Sequence, residues 1–264
     1  MRVARLYAHL LDSLSPKLRR VAYQNLRLAL PDADPERLVE GVFESIARIL
    51  YAVSYFPEID KSNVYRWIGY EGFEHYEAAK RRGKGVLFAT AHLGNWELSA
   101  FAHALMTEPM NVVVRPLDNP LIDRIAGERR SLSGNRIIGK KDFLRPILRA
   151  LQNNEAVGIL VDQNALSDRG VFVDFFGIPA STDPSFARLA SHSGASVIPG
   201  FAFWTESQRY VLKFYPAVEM SGDVTRDTQA VQAAVERAIR EHPDQWLWVH
   251  RRWKTRPPGQ PPLY

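Results

Sequence analysis

The sequence contains no cysteine and no long run of apolar residues. Without cysteine the chain has no disulfide bridge and no thiolate nucleophile, which suits a reducing compartment. Its longest uncharged runs, residues 85–96 and 189–205, are not the uninterrupted apolar stretch of about 18 residues that a membrane-spanning helix needs. The opening residues, Met-Arg-Val-Ala-Arg, do not begin the long apolar segment of a secretory signal. We therefore expect neither a spanning helix nor a secretory signal.

Signatures of several enzyme classes are also missing. There is no G-x-G-x-x-G dinucleotide turn, no H-E-x-x-H zinc motif and no G-x-S-x-G serine-hydrolase turn, and the seven histidines show no metal-ligand spacing. Residues 134–140 have the bare spacing of a phosphate loop, but Lys141 stands where a serine or threonine should bind magnesium. We therefore expect no metal ion and no cofactor.

The composition is that of a globular protein with an excess of positive charge. Hydrophobic residues make up 46% of the 264 residues, enough for one large domain or two small ones. The formal net charge of +5 favours anionic partners, whether acidic proteins, phosphates, anionic lipids or nucleic acid. Charge alone does not choose among these.

The stretch from residue 85 to residue 97 predicts a strand, a tight turn and a helix. Residues 86–91 are almost wholly apolar, as in a buried parallel strand, and residues 96–106 have the length and composition of a helix. His92 follows the strand, Asn95 is a suitable N-cap, and Glu97 falls in the first helical turn. In open α/β sheets the carboxyl ends of the strands are where ligands bind. We therefore expect His92 and Glu97 to face one another at such an edge.

An imidazole beside a carboxylate can serve as a general base. A neutral histidine takes a proton from a hydroxyl, and a carboxylate on its other ring nitrogen holds the tautomer and stabilises the imidazolium. The hydroxyl itself then attacks, so no protein nucleophile is required. The alternative is that Glu97 complements the helix dipole beside a hydrogen-bonded core histidine, His92. The pair alone leaves both interpretations open.

The remaining pattern predicts an α/β fold with a mostly parallel central sheet flanked by helices and an N-terminal helical region. We expect the division to fall between an amphipathic helical region, residues 1–56, and an α/β domain, residues 57–264. The first two helices have a basic amphipathic pattern that suits either an anionic membrane surface or an ordinary solvated face. The predicted helices are 3–14, 16–30, 35–53, 72–82, 96–106, 121–130, 142–153, 183–193 and 227–242, and the predicted strands are 86–91, 111–114, a short one within 134–140, 156–161, 196–204 and 209–215.

Further polar residues follow two other predicted strands. Arg115 comes directly after residues 111–114, and Asp162 and Gln163 come directly after residues 156–161. Asp162 could hydrogen-bond a substrate hydroxyl, pair with an arginine, or serve the structure alone.

Several motifs recur in the order found in a known family. The segments H-L-G-N-W-E, R-P-L-D-N-P, D-Q-N, F-F-G-I-P-A-S-T and H-P-D-Q-W-L-W-V-H-R-R-W-K-T-R lie between residues 92 and 256, and the similarity to that family runs from about residue 26 to residue 255. Together they resemble the bacterial lipid A biosynthesis acyltransferases, the late lauroyl and myristoyl transferases, whose H-x-x-x-x-D/E signature is shared with glycerolipid acyltransferases. The resemblance implies a glycerol-3-phosphate-acyltransferase-like fold. Members usually begin with a membrane-anchoring helix, which we expect to be shortened or missing here.

The resemblance implies transfer of a fatty acyl group from acyl carrier protein or coenzyme A to a hydroxyl of a lipid A precursor or similar anionic glycolipid. Related sequences acylate phosphatidylinositol mannosides, which are the alternative acceptor. His92 and Glu97 would be the catalytic dyad. The expected place of action is the cytoplasmic face of the bacterial inner membrane, with peripheral attachment to its surface. Expected substrate-binding residues are Asn95, Arg115, Arg130 (or Arg129 by a one-residue slip, unless both arginines only complete a helix), Asp162 and Gln163.

Two aromatic segments remain open to more than one interpretation. Residues 165–182 read as a loop that packs near an acyl chain or membrane, or else folds back on the core. The tryptophans and basic residues of 246–256 suit an interfacial belt or a phosphate-rich headgroup, and would equally suit single-stranded nucleic acid. A nucleic-acid-binding protein leaves His92 and Glu97 without a role, so we expect no nucleic-acid partner. Residues 257–262 are expected to form a loose tail.

Overall fold

The computed structural model of this protein describes residues 16–139, 143–166 and 169–264. The predicted first helix, residues 3–14, and the predicted helix start at Asp142 lie outside the described residues, as does Lys141. The helices are α1 (Pro16–Ala29), α2 (Pro35–Tyr55), α3 (Phe73–Arg81), α4 (Trp96–Met106), α5 (Pro120–Ser131), α6 (Leu144–Gln152), α7 (Ser185–Ser193) and α8 (Val224–Glu241), with short 3-10 turns at Phe56–Glu58, Val64–Arg66 and Pro243–Gln245.

A sheet of seven strands forms the centre of the fold, in the order β1-β9-β8-β2-β5-β3-β4. All neighbours in it are parallel except β8 and β9, which form an antiparallel pair. The predicted α/β class and mostly parallel sheet are therefore confirmed. Its strands are β1 (Ile68–Glu71), β2 (Val86–Thr90), β3 (Asn111–Val114), β4 (Arg136–Gly139), β5 (Ala156–Leu160), β8 (Ser196–Trp204) and β9 (Tyr210–Phe214).

Strand β2 is buried on both faces, which explains its unbroken apolar sequence. Alternate side chains of a strand point to opposite faces. Val86 and Phe88 pack in one cluster with residues of α3 and α4, whereas Leu87 and Ala89 pack in another with residues of α6, α7 and α8. Helices therefore cover both faces of the sheet.

The turn after β2 depends on a glycine. Gly94 has a positive φ of 62°, and a Cβ at this position would lie 1.9 Å from the backbone oxygen of Ala202. The backbone N–H of Asn95 donates to that same oxygen at 2.8 Å. The close approach therefore fixes where the chain leaves β2 and enters α4.

The aromatic segment after β5 is a hairpin and not the loop that the sequence predicts. Strands β6 (Val171–Phe175) and β7 (Ile178–Thr182) pair antiparallel as a separate two-stranded sheet. Phe175 and Phe176 are buried in the core, so this part of the segment folds back on the protein. The sequence prediction was wrong because Phe176 and Gly177 form a tight turn between two short strands.

The tryptophans near the carboxyl terminus are core residues, and the predicted interfacial belt is wrong for them. Trp246, Trp248 and Trp253 are at most 1% exposed. They pack in one cluster with residues of α1, α2 and the β6–β7 hairpin. Arg252, between them in the sequence, is fully buried as well.

The predicted N-terminal helical region is present in α1 and α2, and the last residues of the chain pack against it. Asn25 donates to the backbone oxygens of Trp248 and His250 at 2.6 and 2.8 Å. Tyr264 packs on the same cluster, whereas residues 258–262, within the predicted loose tail, are exposed. The domain boundary after residue 56 stays a prediction. In the described part of the chain, no helix has both the length and the apolar character needed to cross a membrane.

Candidate active site

His92 and Asp162 lie side by side at the carboxyl edge of the sheet. Strands β2 and β5 are parallel neighbours, and their register pairs Thr90 with Leu160. His92 and Asp162 each follow two residues later, so the register of the sheet brings them together. Nδ1 of His92 lies 2.9 Å from Oδ1 of Asp162.

Two further donors fix the Asp162 carboxylate. Its Oδ2 accepts the backbone N–H of His92 at 2.9 Å and the indole N–H of Trp246 at 2.8 Å. Oδ1 is thereby left for the His92 ring. Because a carboxylate only accepts, Nδ1 of neutral His92 carries the ring proton and Nε2 keeps its lone pair. The Nε2 atom of the exposed Gln163 amide lies 3.5 Å from that second ring nitrogen.

Electrostatics stabilise the charged form of both partners. Burial lowers the pKa of His92, but the charge and hydrogen bond of the Asp162 carboxylate and the charge of Glu97 together outweigh it, so the net pKa lies above the ordinary histidine value. Burial raises the pKa of Asp162, but the charge and hydrogen bonds of His92 and the hydrogen bond from the Trp246 indole together lower it by more, so its net pKa lies below the usual range. An imidazolium formed by taking up a proton is therefore stabilised at this position.

Glu97 does not occupy the position that the sequence predicts for it. Asp162 is the carboxylate that accepts from the His92 ring, while the two oxygens of Glu97 accept from Nε and Nη2 of Arg130 at 2.8 and 2.5 Å. The side chains of Glu97 and Arg130 are only 16% and 18% exposed. The geometric reason is that the first turn of α4 directs Glu97 to the planar guanidinium of α5. The arginine in contact with this site is Arg130 rather than Arg129.

The other predicted site residues are more dispersed. The buried Asn95 accepts the backbone N–H of Leu98 at 2.9 Å and so caps α4 as predicted. The Arg115 side chain is 74% exposed and reaches Asp118 at 3.4 Å. Among the described residues, neither Asn95 nor Arg115 shares a hydrogen bond with His92.

Residues far along the chain hold the ends of β2 and β5. The backbone N–H of Leu247 donates to the His92 oxygen at 2.9 Å, next to the Trp246 indole. The backbone N–H of Asn164 donates to Nε2 of His250 at 3.0 Å. Burial holds the pKa of His250 at about 4, despite an opposing effect of Asp162. His250 therefore stays neutral and keeps its role as an acceptor.

Gln232 of α8 also holds the carboxyl end of β5. Gln232 donates to the backbone oxygen of Val161 at 2.8 Å and accepts from buried Arg252 at 3.2 Å. Arg252 also donates to the backbone oxygen of Ser181 at 2.7 Å, at the end of β7. The sequence does not predict Trp246, His250 and Gln232 as site residues, although the first two belong to the tail motif shared with the family.

Comparison with known proteins identifies the class. Among the relatives, a lipid A biosynthesis acyltransferase of Haemophilus influenzae is 27% identical over 92% of this chain and 78% of its own length. The lipid A biosynthesis palmitoleoyltransferase of Escherichia coli is 29% identical over 94% of this chain and 84% of its own. The phosphatidylinositol mannoside acyltransferase of Mycobacterium tuberculosis is 30% identical over 84% of this chain and 72% of its own. The protein is thus an O-acyltransferase.

The family follows from a match along almost the whole chain. The family model described as bacterial lipid A biosynthesis acyltransferase matches residues 2–255. The chain belongs to the bacterial lipid A biosynthesis acyltransferase family, as its motifs predicted. Within residues 16–139, 143–166 and 169–264, no group of three His, Asp or Glu side chains is placed to hold a metal ion.

Proposed function

We propose that His92 is the general base in the transfer of a fatty acyl group from a thioester, on acyl carrier protein or coenzyme A, to a hydroxyl of a lipid A precursor or similar anionic glycolipid. The observation that carries the proposal is the 2.9 Å contact between Nδ1 of His92 and Asp162, which leaves Nε2 to accept a proton. The protein acts at the cytoplasmic face of the bacterial inner membrane, peripherally attached.

The reaction then needs no nucleophile from the protein. Nε2 of His92 takes the proton of the acceptor hydroxyl while its oxygen attacks the thioester carbonyl. Asp162 stabilises the imidazolium that forms. When the tetrahedral intermediate collapses, the carbon–sulfur bond breaks and the thiolate leaves, receiving the proton from His92. The products are the new ester and a thiol.

We assign Glu97 and Arg130 a supporting electrostatic part. Arg130, held by its two bonds to Glu97, supplies a positive charge for a phosphate of the acceptor or for the oxyanion, a role typically worth ~3 kcal/mol per donor. Glu97 fixes that guanidinium and contributes to the raised pKa of His92. The Gln163 amide lies where the acceptor hydroxyl must approach Nε2. The exposed Arg115 remains a candidate for binding substrate phosphate.

Two lipids are candidates for the acceptor, because the relatives are named for two different acceptors. Those from Haemophilus influenzae and Escherichia coli are named for lipid A, and the one from Mycobacterium tuberculosis for phosphatidylinositol mannoside. Both acceptors are anionic glycolipids. The tryptophans that would stack on the bases of a nucleic acid are buried, so they cannot bind one.

The test offers purified protein both donors and both acceptors. Acyl carrier protein and coenzyme A each carry the same isotopically labelled acyl chain, and a lipid A precursor and a phosphatidylinositol mannoside serve as acceptors. Mass spectrometry should detect one added acyl mass on one acceptor, together with release of an equal amount of thiol. Release of thiol without any acylated lipid, or no reaction in all four combinations, would overturn the proposal.

A further inference from the structure

Helix α5 carries its aliphatic side chains on the outside. Leu121, Ile122 and Ile125 are 57%, 54% and 46% exposed, and no residue of the helix is buried. The side chains of this helix that make hydrogen bonds beyond it are polar instead: Arg130 binds Glu97 of α4, and Asp123 accepts the backbone N–H of Leu117, in the exposed segment before the helix, at 2.9 Å. An ordinary surface helix shows the reverse arrangement, with its apolar face toward the core.

The positions of these residues around the helix axis explain why the aliphatic side chains face outward. At 3.6 residues per turn, Leu121 and Ile125 share one face, Ile122 borders it, and Arg130 lies about 180° round from Leu121. Because Arg130 is bound to Glu97, it fixes the rotation of the helix. The aliphatic face is thus held away from the protein by the same ion pair that lies next to His92.

Further exposed leucines follow the neighbouring strands. Leu117 comes after β3, Leu144 after β4 and Leu166 after β5, and they are 42%, 51% and 63% exposed. These residues lie beyond the carboxyl ends of adjacent parallel strands, the edge of the sheet that also carries His92. We call Leu117, Leu121, Ile122, Ile125, Leu144 and Leu166 the apolar edge.

Cationic side chains stand among these aliphatic ones. The side chains of Arg115 and Arg124 are 74% and 69% exposed. Their nearest acidic partners, Asp118 and Glu128, are also exposed and lie 3.4 and 3.9 Å away, contacts that are worth little in water. Long basic side chains beside protruding leucines suit the boundary between acyl chains and anionic headgroups, where the arginines reach the phosphates.

We propose that the apolar edge docks on an anionic lipid bilayer, so that the acceptor lipid reaches His92 from the membrane. The inference rests on the proposed function for the identity of the acceptor. It places the bilayer at the carboxyl edge of the sheet and not at the first two predicted helices, whose basic pattern suits either a membrane surface or a solvated face.

Two triple variants of the full chain separate these surfaces. In the first, Leu121, Ile122 and Ile125 are each replaced by Gln. In the matched control, three exposed leucines of α1 and α2, Leu18, Leu28 and Leu50, are each replaced by Gln. Binding to vesicles of phosphatidylglycerol and phosphatidylcholine is measured by co-sedimentation, with thermal unfolding checked for both variants.

We expect the α5 variant to bind vesicles at least about tenfold more weakly than the unchanged protein, and the control within about twofold of it. The proposal would be overturned if the α5 variant bound vesicles as tightly as the unchanged protein, or if the control variant lost more vesicle binding than the α5 variant.

Acyl transfer to an acceptor dispersed in detergent micelles separates this inference from the proposed function. The α5 variant should keep its transfer rate in micelles and lose it on vesicles. If the unchanged protein transfers acyl groups in micelles but binds no vesicles, the docking surface is wrong and the function stands. If it binds vesicles through α5 but transfers nothing, the function is wrong and the docking surface stands.

Discussion

At the scale of single residues, the two oxygens of Asp162 are not equivalent. Oδ2 receives two N–H donors, from the His92 backbone and the Trp246 indole, and Oδ1 receives the His92 ring. In an Asp162→Asn variant the amide oxygen must therefore replace Oδ2, because the amide nitrogen cannot accept either donor. The nitrogen then faces Nδ1 of His92 and donates to it. The ring proton moves to Nε2, the atom that has to accept the substrate proton.

Asp162→Asn should accordingly lower kcat by about a thousandfold or more while leaving the fold intact, because it imposes the wrong tautomer. Steady-state acyl transfer measures the loss. The control is Asp174→Asn, where an exposed aspartate accepts the backbone N–H of Gly177. Nearly unchanged turnover by Asp162→Asn would contradict the assignment of the ring proton.

The raised pKa of His92 predicts the acid limb of the pH profile. Only neutral His92 can accept a proton, so kcat/KM should fall as pH drops through its pKa, with a midpoint above about 6.5, the ordinary histidine value. Because Glu97 helps to raise that pKa, the isosteric Glu97→Gln variant should move the midpoint to lower pH. The measurement is kcat/KM across pH for both proteins. A midpoint that stays fixed would remove Glu97 from the electrostatics of the base.

At the scale of elements, the segment from Trp246 to Trp253 is a support for the site and not a membrane surface. Two of its buried tryptophans each donate one hydrogen bond, one to a residue of the site and the other to a residue outside it. Trp246 donates to Asp162 at 2.8 Å, and Trp248 donates to the backbone oxygen of Pro243 at 2.6 Å. They therefore form a matched pair for separating positioning from stability.

Replacing either tryptophan by Phe removes the donor of one hydrogen bond and shrinks a buried side chain, and should lower the free energy of unfolding by about 1–3 kcal/mol in both cases. Only Trp246→Phe should also lower kcat, by about tenfold, because it loosens Asp162. Denaturant unfolding and steady-state kinetics give the two quantities. Equal kcat values for the two variants would mean that the Trp246 indole does not position the base.

The elements themselves were largely predictable from the sequence, but their partners were not. Helix α4 and strand β3 have the predicted bounds, because apolar runs, caps and glycines are local signals. The partner of His92 was not local. Strand β5 inserts between β2 and β3, so the residue that follows β5 meets His92, and Glu97, five residues away in sequence, turns to Arg130. The burial of the tryptophans likewise depends on contacts with distant α1 and the β6–β7 hairpin.

At the scale of the whole molecule, a second histidine limits stability in acid. His103 is buried among aromatic rings, with Nδ1 3.1 Å from the Tyr70 hydroxyl. Burial lowers the pKa of His103 to about 4. The unfolded chain, whose histidines titrate near 6.5, therefore binds more protons than the folded protein as pH falls toward 4. The stability that His103 contributes is fully present above pH 6.5, the unfolded pKa, and is lost as the pH falls from there toward 4.

We expect this one group to lower the free energy of unfolding by about 2 kcal/mol between pH 7 and pH 5. His103→Gln should remove that part of the pH dependence. Comparing the two proteins isolates His103 from His92, whose raised pKa acts in the opposite sense. Urea unfolding at both pH values is the measurement. Parallel pH dependences for the unchanged protein and the variant would show that His103 protonates as readily in the folded state as in the unfolded one.

The most direct test of the account is the turnover of His92→Ala in acyl transfer from a thioester to the glycolipid acceptor, beside His192→Ala as an exposed histidine control. Loss of the general base should reduce kcat at least about a hundredfold in His92→Ala, with thermal unfolding retained and the control unchanged. A folded His92→Ala protein that still transfers acyl groups within about tenfold of the unchanged rate would contradict the claim that this imidazole activates the hydroxyl.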